Sequence, residues 1–141
     1  MAVELSDEAR RLIALFEDEA DVTVRDCLLL EEHDRVVFLV AAGQMADAIG
    51  PGGRTVQRVE RRLGEDVKLV EDADDPAAFV ANALAPAAVY NVTVSENGDT
   101  VAYVEVAQED RGVAIGADGK NIETARRLAA RHFDIDGVEL T

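Results

Sequence analysis

The chain has 141 residues, 48% hydrophobic and 30% charged, with one cysteine and a formal net charge of -15. This size fits one ordinary domain or two small ones and excludes wholesale disorder, and the lone Cys27 excludes both an internal disulfide framework and an all-thiolate metal site within one chain. No apolar run approaches the roughly 18 to 20 residues that span a bilayer, and no signal-peptide pattern opens the chain, so we expect a cytoplasmic protein without a membrane partner.

The first half of the chain predicts the element order α-β-β-α-α-β. A helix capped by Ser6 carries one apolar stripe, and the next two segments are rich in the β-branched and aromatic residues of strands. Gly64 ends the longest of the following helices. The predicted elements are a helix after Ser6, strands at 22–30 and 35–41, a short helix from about 44, a longer helix at 53–63 and a strand at 66–71.

The second half of the chain predicts the same order again. Asp75 followed by Pro76 is a typical helix start, a cap and then a first-turn proline. Asn97-Gly98 is a strong hairpin signal, and a turn centred on that pair would set Val94 opposite Val101 and Val92 opposite Tyr103. The predicted elements are a helix from 76 with its buried face at Phe79, Val80, Ala83 and Leu84, strands at 88–95 and 100–106, a short helix before 116, a long helix to about 132 and a strand near 138–140.

The acidic stretch from Glu71 to Asp75 is the predicted boundary between the two halves. Consecutive carboxylates in a polar turn are usually solvated, so we expect no metal there. The interpretation is therefore an α+β chain of two domains, residues 1–74 and 75–141, each with a three-stranded sheet and helices packed on one face.

Two stretches of the chain match each other at an offset of 66 residues. They read Ala48-Ile49-Gly50-Pro51-Gly52-Gly53-Arg54 and Ala114-Ile115-Gly116-Ala117-Asp118-Gly119-Lys120. A Gly-x-x-Gly loop alone is a weak signal and equally fits a tight turn between helices. Here both copies lie between the same predicted elements, where glycines let a phosphate approach the backbone and the next helix directs its first amides at the anion.

The basic residues cluster after these loops. All but Lys68 and Lys120 are arginine, and eight of the 14 lie within the 12 positions that follow a Gly-x-x-Gly. Helical spacing separates them from the apolar stripes Val56-Val59-Leu63 and Ile122-Ala125-Ala129-Phe133. The predicted phosphate-facing residues are Arg54, Arg58, Arg61 and Arg62 in the first copy and Lys120, Arg127 and Arg131 in the second.

The net acidity argues in the opposite direction, because an acidic surface repels phosphate. An acidic, lysine-poor surface is also typical of proteins adapted to a very salty cytoplasm, where ions screen self-repulsion. We therefore predict a halophilic-type acidic protein whose cations are concentrated where an anion would bind.

The order α-β-β-α-α-β with Ile-Gly-x-x-Gly between the last two helices resembles a type II KH domain. Two copies in tandem, together with the linker Asn82-Ala83-Leu84-Ala85-Pro86-Ala87, resemble the KH pair of the archaeal NusA-like proteins, from about residue 5 to 140. The resemblance implies binding of single-stranded RNA, a nascent transcript or pre-ribosomal RNA, in transcription elongation and termination, with RNA polymerase as a further partner. It also implies backbone contacts at Gly50–Gly53 and Gly116–Gly119, and a base groove near Ile49, Val56, Ile115 and Ile122.

The two loops depart from the family pattern at their variable positions. Neither has a basic residue there, since Pro51-Gly52 and Ala117-Asp118 occupy them. A carboxylate at Asp118 repels phosphate, so we expect the first loop to be the stronger contact. Bacterial NusA also carries a polymerase-binding domain and an S1 domain, and we expect neither within these 141 residues.

Two other functions are weighed against RNA binding. The first is a protein–protein adaptor of the polymerase or of ribosome assembly, with vestigial loops. The second is an RNA-processing enzyme, but the only histidines, His33 and His132, are far apart in sequence, and no acid–base pair or metal set is clustered. The first loop lacks the Gly-Lys-Ser/Thr ending of a nucleotide-binding P-loop. We expect no catalysis, no cofactor and no small-molecule substrate.

Overall fold

The computed structural model describes residues 3–141, whose helices and strands follow the order α-β-β-α-α-β twice. The described residues divide into two compact units, one ending at Asp72 and the other beginning at Ala73. No described helix is long and apolar enough to cross a membrane. Residues 3–141 contain no group of three or more His, Cys, Asp or Glu side chains that could hold a metal ion.

The first unit is a three-stranded sheet with helices against it. Its elements are α1 (Asp7–Glu19), β1 (Val24–Leu30), β2 (Arg35–Val40), α2 (Met45–Ile49), α3 (Arg54–Leu63) and β3 (Asp66–Glu71). The strand order is β1-β2-β3, with β1 antiparallel and β3 parallel to the central β2. Every predicted element is present, and the closing strand has the predicted bounds.

The core of the first unit lies between α1, α3 and one face of the sheet. Phe16 of α1 and Phe38 of β2 are fully buried, with ring centroids 4.7 Å apart. Val59 of α3 is also fully buried, and Cys27 is a buried member of the same cluster. Cys27 therefore packs as a small core residue.

The second unit repeats the arrangement of the first. Its elements are α4 (Pro76–Ala83), β4 (Val89–Asn97), β5 (Asp99–Val106), α5 (Arg111–Ile115), α6 (Lys120–Phe133) and β6 (Gly137–Leu140). The strand order is β4-β5-β6, again with one antiparallel and one parallel pair. The predicted cap is confirmed, because the Asp75 carboxylate accepts a hydrogen bond of 2.9 Å from the backbone N–H of Ala78.

The core of the second unit forms between α4, α6 and the sheet. The predicted α4 face is confirmed, since each of its four residues, Phe79, Val80, Ala83 and Leu84, is fully buried. The Phe79 ring packs edge-on to Phe133 of α6 at a centroid distance of 4.9 Å. On α6, Ala125 and Leu128 are fully buried beside it, so this helix presents a continuous apolar stripe to the core.

The hairpin register in the second unit differs from the prediction by one residue. Val94 pairs with Ala102 and Val92 with Val104, while Asn97 pairs with Asp99 across Gly98. The predicted two-residue turn needs a positive φ at both central positions. Gly98 has a φ of +83°, but Asn97 does not have a positive φ. Gly98 alone therefore reverses the chain, and each residue of β4 faces a different partner from the one predicted.

Candidate nucleic-acid interface

The two Gly-x-x-Gly loops have the same backbone conformation. The first glycine has φ/ψ of 79°/167° in Gly50 and 80°/168° in Gly116. The third position has 61°/21° in Gly52 and 55°/23° in Asp118. In each loop the backbone N–H of the last glycine donates a 3.0 Å hydrogen bond to the carbonyl of the first. The sequence repeat is thus a repeat of one local structure.

The first glycine of each loop packs against the start of the following helix. A Cβ on Gly50 would overlap Oγ1 of Thr55 and lie 2.7 Å from its Cβ. A Cβ on Gly116 would lie 2.9 Å from the backbone nitrogen of Asn121. Asn121 also donates a 2.8 Å hydrogen bond from Nδ2 to the carbonyl of Val113, which ties α5 to α6. Only glycine fits at either position.

Sequence reasoning missed Thr55 and Asn121 as members of the site. They occupy equivalent positions, 66 residues apart, in the two copies. Thr55 is 7% exposed, although threonine at a helix surface usually contacts water. The offset that identified the glycines could have identified both residues, since each is the second residue of its long helix.

The variable positions of both loops are exposed. Pro51 and Gly52 project from the first loop, and Ala117 and Asp118 from the second. Asp118 has a left-handed backbone conformation, which short polar side chains tolerate better than most. Its carboxylate puts a negative charge at the tip of the second loop, where the first loop has no side chain.

The long helices begin directly after the last glycine of each loop and lack side-chain caps. Gly53 precedes α3 and Gly119 precedes α6, and neither end has a capping side chain. The first amides of a helix carry the positive end of its dipole and can bind an anion. Each loop therefore combines exposed backbone with a helix start that favours negative charge.

The predicted apolar residues differ in their exposure. Ile49 is 39% exposed and Ile115 is 41% exposed, each at the end of the short helix before its loop. Val56 is half-buried, whereas Ile122 is 7% exposed and belongs to the core. Val113, which was not predicted, is 42% exposed on α5. The exposed apolar surface beside each loop, which could contact an apolar part of a ligand, therefore centres on Ile49 in the first unit and on Ile115 in the second.

Two of the predicted cations in the first unit are held by an acidic residue of α1. The Glu19 carboxylate lies 3.2 Å from Nε of Arg58 and 2.6 Å from a terminal nitrogen of Arg62. These two guanidinium groups lower the pKa of Glu19 below its usual value, with Arg62 the stronger influence. Arg54 and Arg61 are exposed and form no ion pair among residues 3–141. Helix α3 thus presents two cations without an ion pair to any residue of 3–141, whereas the sequence predicted four exposed cations there.

The predicted exposure of the three basic residues in the second unit is wrong. Lys120, Arg127 and Arg131 are half-buried, and none of them is without an interaction partner. Arg126, which was not among the predicted contacts, is exposed and donates from Nε to the carbonyl of Val138 at 3.1 Å. Long cationic side chains often lie along apolar surface with only the head group in water.

Comparisons with known proteins show which family the chain belongs to. A model for the NusA-like second KH domain matches residues 76–140, and a KH-domain model matches residues 10–74. The chain is also 65% identical over 141 residues to a protein of Halobacterium salinarum named "Probable transcription termination protein NusA", covering 100% of both chains. The chain belongs to the NusA-like KH family. A family member from Halococcus morrhuae with the same name is 63% identical over 140 residues, or 99% of each chain.

More distant relatives support the same family and fold. A NusA-like protein of Methanocaldococcus jannaschii is 35% identical over 139 residues, which are 98% of this chain and 75% of that protein. The structure described as "Crystal structure of APE1850" superposes with a TM-score of 0.85 at 32% identity. The superposition covers 97% of this chain and 100% of that one. The two tandem type II KH domains that the resemblance implied are therefore confirmed.

Proposed function

We propose that this NusA-like protein binds single-stranded RNA through its two Gly-x-x-Gly loops and acts without catalysis in transcription elongation and termination. The observation that carries the proposal is that both loops share one backbone conformation although their variable residues differ. A conformation that persists through that difference supports a role for the backbone itself. The relatives' name, probable transcription termination protein, supports a role in transcription.

The geometry favours the sugar–phosphate backbone as the ligand of each loop. A phosphate approaching Gly52 meets no side chain, and the uncapped first turn of α3 lies directly behind the loop. KH modules clamp the RNA backbone with such a loop while the bases lie on an adjoining surface. In this protein Ile49 and Ile115 supply that surface, because they are exposed at the edge of each loop.

The second loop is the weaker contact in this proposal. Asp118 carries a negative charge at the position where Gly52 leaves the first loop open. Phosphate approaching the second loop meets that charge, and the nearby Lys120 is half-buried. We therefore expect the first unit to supply most of the binding free energy.

High salt changes which contacts matter. Near 1 M salt the Debye length is about 3 Å, so arginines no longer attract RNA over long distances. Arg58 and Arg62 are in any case engaged by Glu19. Affinity in molar KCl therefore rests on short-range contacts with the loop backbone and on apolar base contacts, and a Gly52→Asp substitution weakens binding more than Arg62→Ala does.

Replacing Glu19 tests how the ion pairs limit RNA binding. In Glu19→Gln both guanidinium groups lose their carboxylate partner and become available to phosphate. We expect RNA affinity to rise about two- to fivefold in 0.1 M KCl and the dependence on salt to steepen. Glu17→Gln is the control on the same helix. Unchanged affinity and salt slope in Glu19→Gln would show that these arginines do not face the RNA.

A titration of fluorescein-labelled RNA followed by anisotropy tests the proposal itself. Ten-nucleotide single strands of A, C and U are compared with a duplex of the same length across a KCl series. We expect single strands to bind more tightly, with log K falling by about 0.7 per log unit of salt for each phosphate neutralised. Absence of binding to every strand would contradict the proposal and favour the protein–protein adaptor, with RNA polymerase as the partner to test.

A further inference from the structure

The first strand of each unit has a β-bulge at the same place in the repeat. The register shifts between Val24 and Asp26 in β1, and between Val89 and Asn91 in β4. The residue left without a cross-strand partner is Arg25 in the first unit and Tyr90 in the second, and both are exposed. A bulge redirects a side chain away from the regular face of a sheet and is frequent beside binding sites.

Tyr90 is the most exposed of the large hydrophobic side chains in the described chain, at 67%. It lines an open cavity of about 490 Å³ at the end of the second sheet. The other lining residues are Glu105, Val106, Gln108, Arg111 and Thr141. Glu105 and Gln108 are exposed, and Arg111 is half-buried and donates a 2.8 Å hydrogen bond to the backbone oxygen of Thr141.

We propose that this cavity binds one unstacked base of the RNA strand held by the second loop, with the base stacked on Tyr90. The inference rests on the proposed function and adds a base contact outside the loops. Tyrosine and arginine are the side chains on which unstacked RNA bases commonly lie, and these are the two residue types at the two bulges.

The polar residues of the cavity can contact the edge of the base and the phosphate of the same nucleotide. The Glu105 carboxylate accepts hydrogen bonds from an exocyclic amine, which adenine, cytosine and guanine have and uracil lacks. The Gln108 amide both donates and accepts. Arg111 brings a positive charge for the phosphate, and Glu105 excludes a phosphate from its own end of the cavity. The base edge therefore lies toward Glu105 and the phosphate toward Arg111.

Helix α5 connects the cavity to the second loop, because its first residue, Arg111, lines the cavity and its last residue, Ile115, precedes Gly116. Arg111 and Ile115 are four residues apart on this five-residue helix, so they lie on the same face. Ile115 is exposed and directly precedes Gly116. The helix spans only about 7.5 Å, so one RNA strand contacting the loop and Ile115 continues to Arg111 and Tyr90.

Tyrosine fluorescence tests this contact directly, because the chain has two tyrosines and no tryptophan. In Tyr103→Phe only Tyr90 emits, and in Tyr90→Phe only Tyr103 emits. We expect ten-nucleotide A or C strands to quench the emission of Tyr90 and leave that of Tyr103 unchanged, with weaker quenching by the U strand. Equal quenching by AMP at the same base concentration would contradict an RNA strand as the occupant.

Affinity measurements separate this inference from the proposed function. Tyr90→Ala is expected to weaken binding about five- to a hundredfold, as loss of one stacked base does, whereas Tyr90→Phe retains most of the affinity. Tyr103→Ala is the matched control, since Tyr103 is 42% exposed on the same sheet but does not line the cavity. RNA binding that persists unchanged in Tyr90→Ala, with no quenching of Tyr90, would overturn the base site and leave the loops as proposed. If the unaltered protein does not bind RNA at all, both the base site and RNA binding through the loops are overturned.

Discussion

Gly50→Ala is expected to destabilise the first unit by about 2 to 5 kcal/mol. Two costs combine at this position. A Cβ would overlap the Thr55 side chain, which is itself buried against the loop. The φ of 79° and ψ of 167° also lie in a region that is almost restricted to glycine. Relief requires α3 to move away from the loop, and the first turn of α3 is part of the proposed phosphate site.

Urea unfolding monitored by circular dichroism measures this destabilisation. Gly43→Ala is the control, because Gly43 also has a positive φ, of 83°, but no atom lies within 4 Å of its Cβ position. The control should lose only about 1 kcal/mol from backbone strain. Equal losses in the two variants would mean that close packing against Thr55 contributes nothing to the loop.

Gly52→Asp is expected to reduce RNA affinity at least about tenfold in 0.1 M KCl while leaving the fold intact. The second loop supplies the structural precedent, since Asp118 holds an aspartate at the same position with φ and ψ within a few degrees of those of Gly52. No neighbouring atom lies within 4 Å of the Cβ position. The effect is therefore electrostatic, because a carboxylate at the loop tip repels the phosphate that the positive end of the α3 dipole attracts.

A neutral isostere separates charge from shape in this experiment. Gly52→Asn adds the same number of side-chain atoms and tolerates a left-handed backbone, so it should bind RNA more tightly than Gly52→Asp does. The reciprocal change in the second loop, Asp118→Asn, should increase affinity. If the aspartate and asparagine variants bind equally at low salt, repulsion at the loop tip is not what controls RNA binding.

The order of the helices and strands could be predicted from the sequence, because its helix starts, helix ends and apolar stripes all indicate the same order. Asp75 and Pro76 mark the start of α4, Gly64 ends α3, and the apolar stripes fall where the core forms. The 66-residue offset located both loops. These features depend on neighbours within a few residues, which a single sequence displays directly.

The errors concern contacts between residues that are distant in the chain. The hairpin register depended on whether Asn97 shares the turn with Gly98, and the structure places the reversal at Gly98 alone. Glu19 engages Arg58 and Arg62, which are 39 and 43 residues away, so helical spacing could assign them only to a surface. The half-buried state of Lys120 likewise depends on tertiary packing.

The sequence predicted the backbone of the candidate site, but it did not identify all of the side chains that form it. Glycines at fixed spacing indicated the loops, whereas Thr55 and Asn121 became visible only through their contacts with the first glycine. Tyr90 could not be singled out because its exposure results from a β-bulge, and strand patterns do not show which residue lacks a partner.

Backbone amide chemical shifts, measured while single-stranded RNA is added to the ¹⁵N-labelled protein, test the role of the loops most directly. RNA binding through the loops predicts the largest shifts at Gly50, Gly52, Gly53 and Arg54, with smaller shifts at the equivalent residues Gly116, Ala117, Asp118, Gly119 and Lys120. Pro51 has no amide and gives no signal. Shifts that leave both loops unchanged while RNA binds elsewhere would contradict RNA binding through the Gly-x-x-Gly loops.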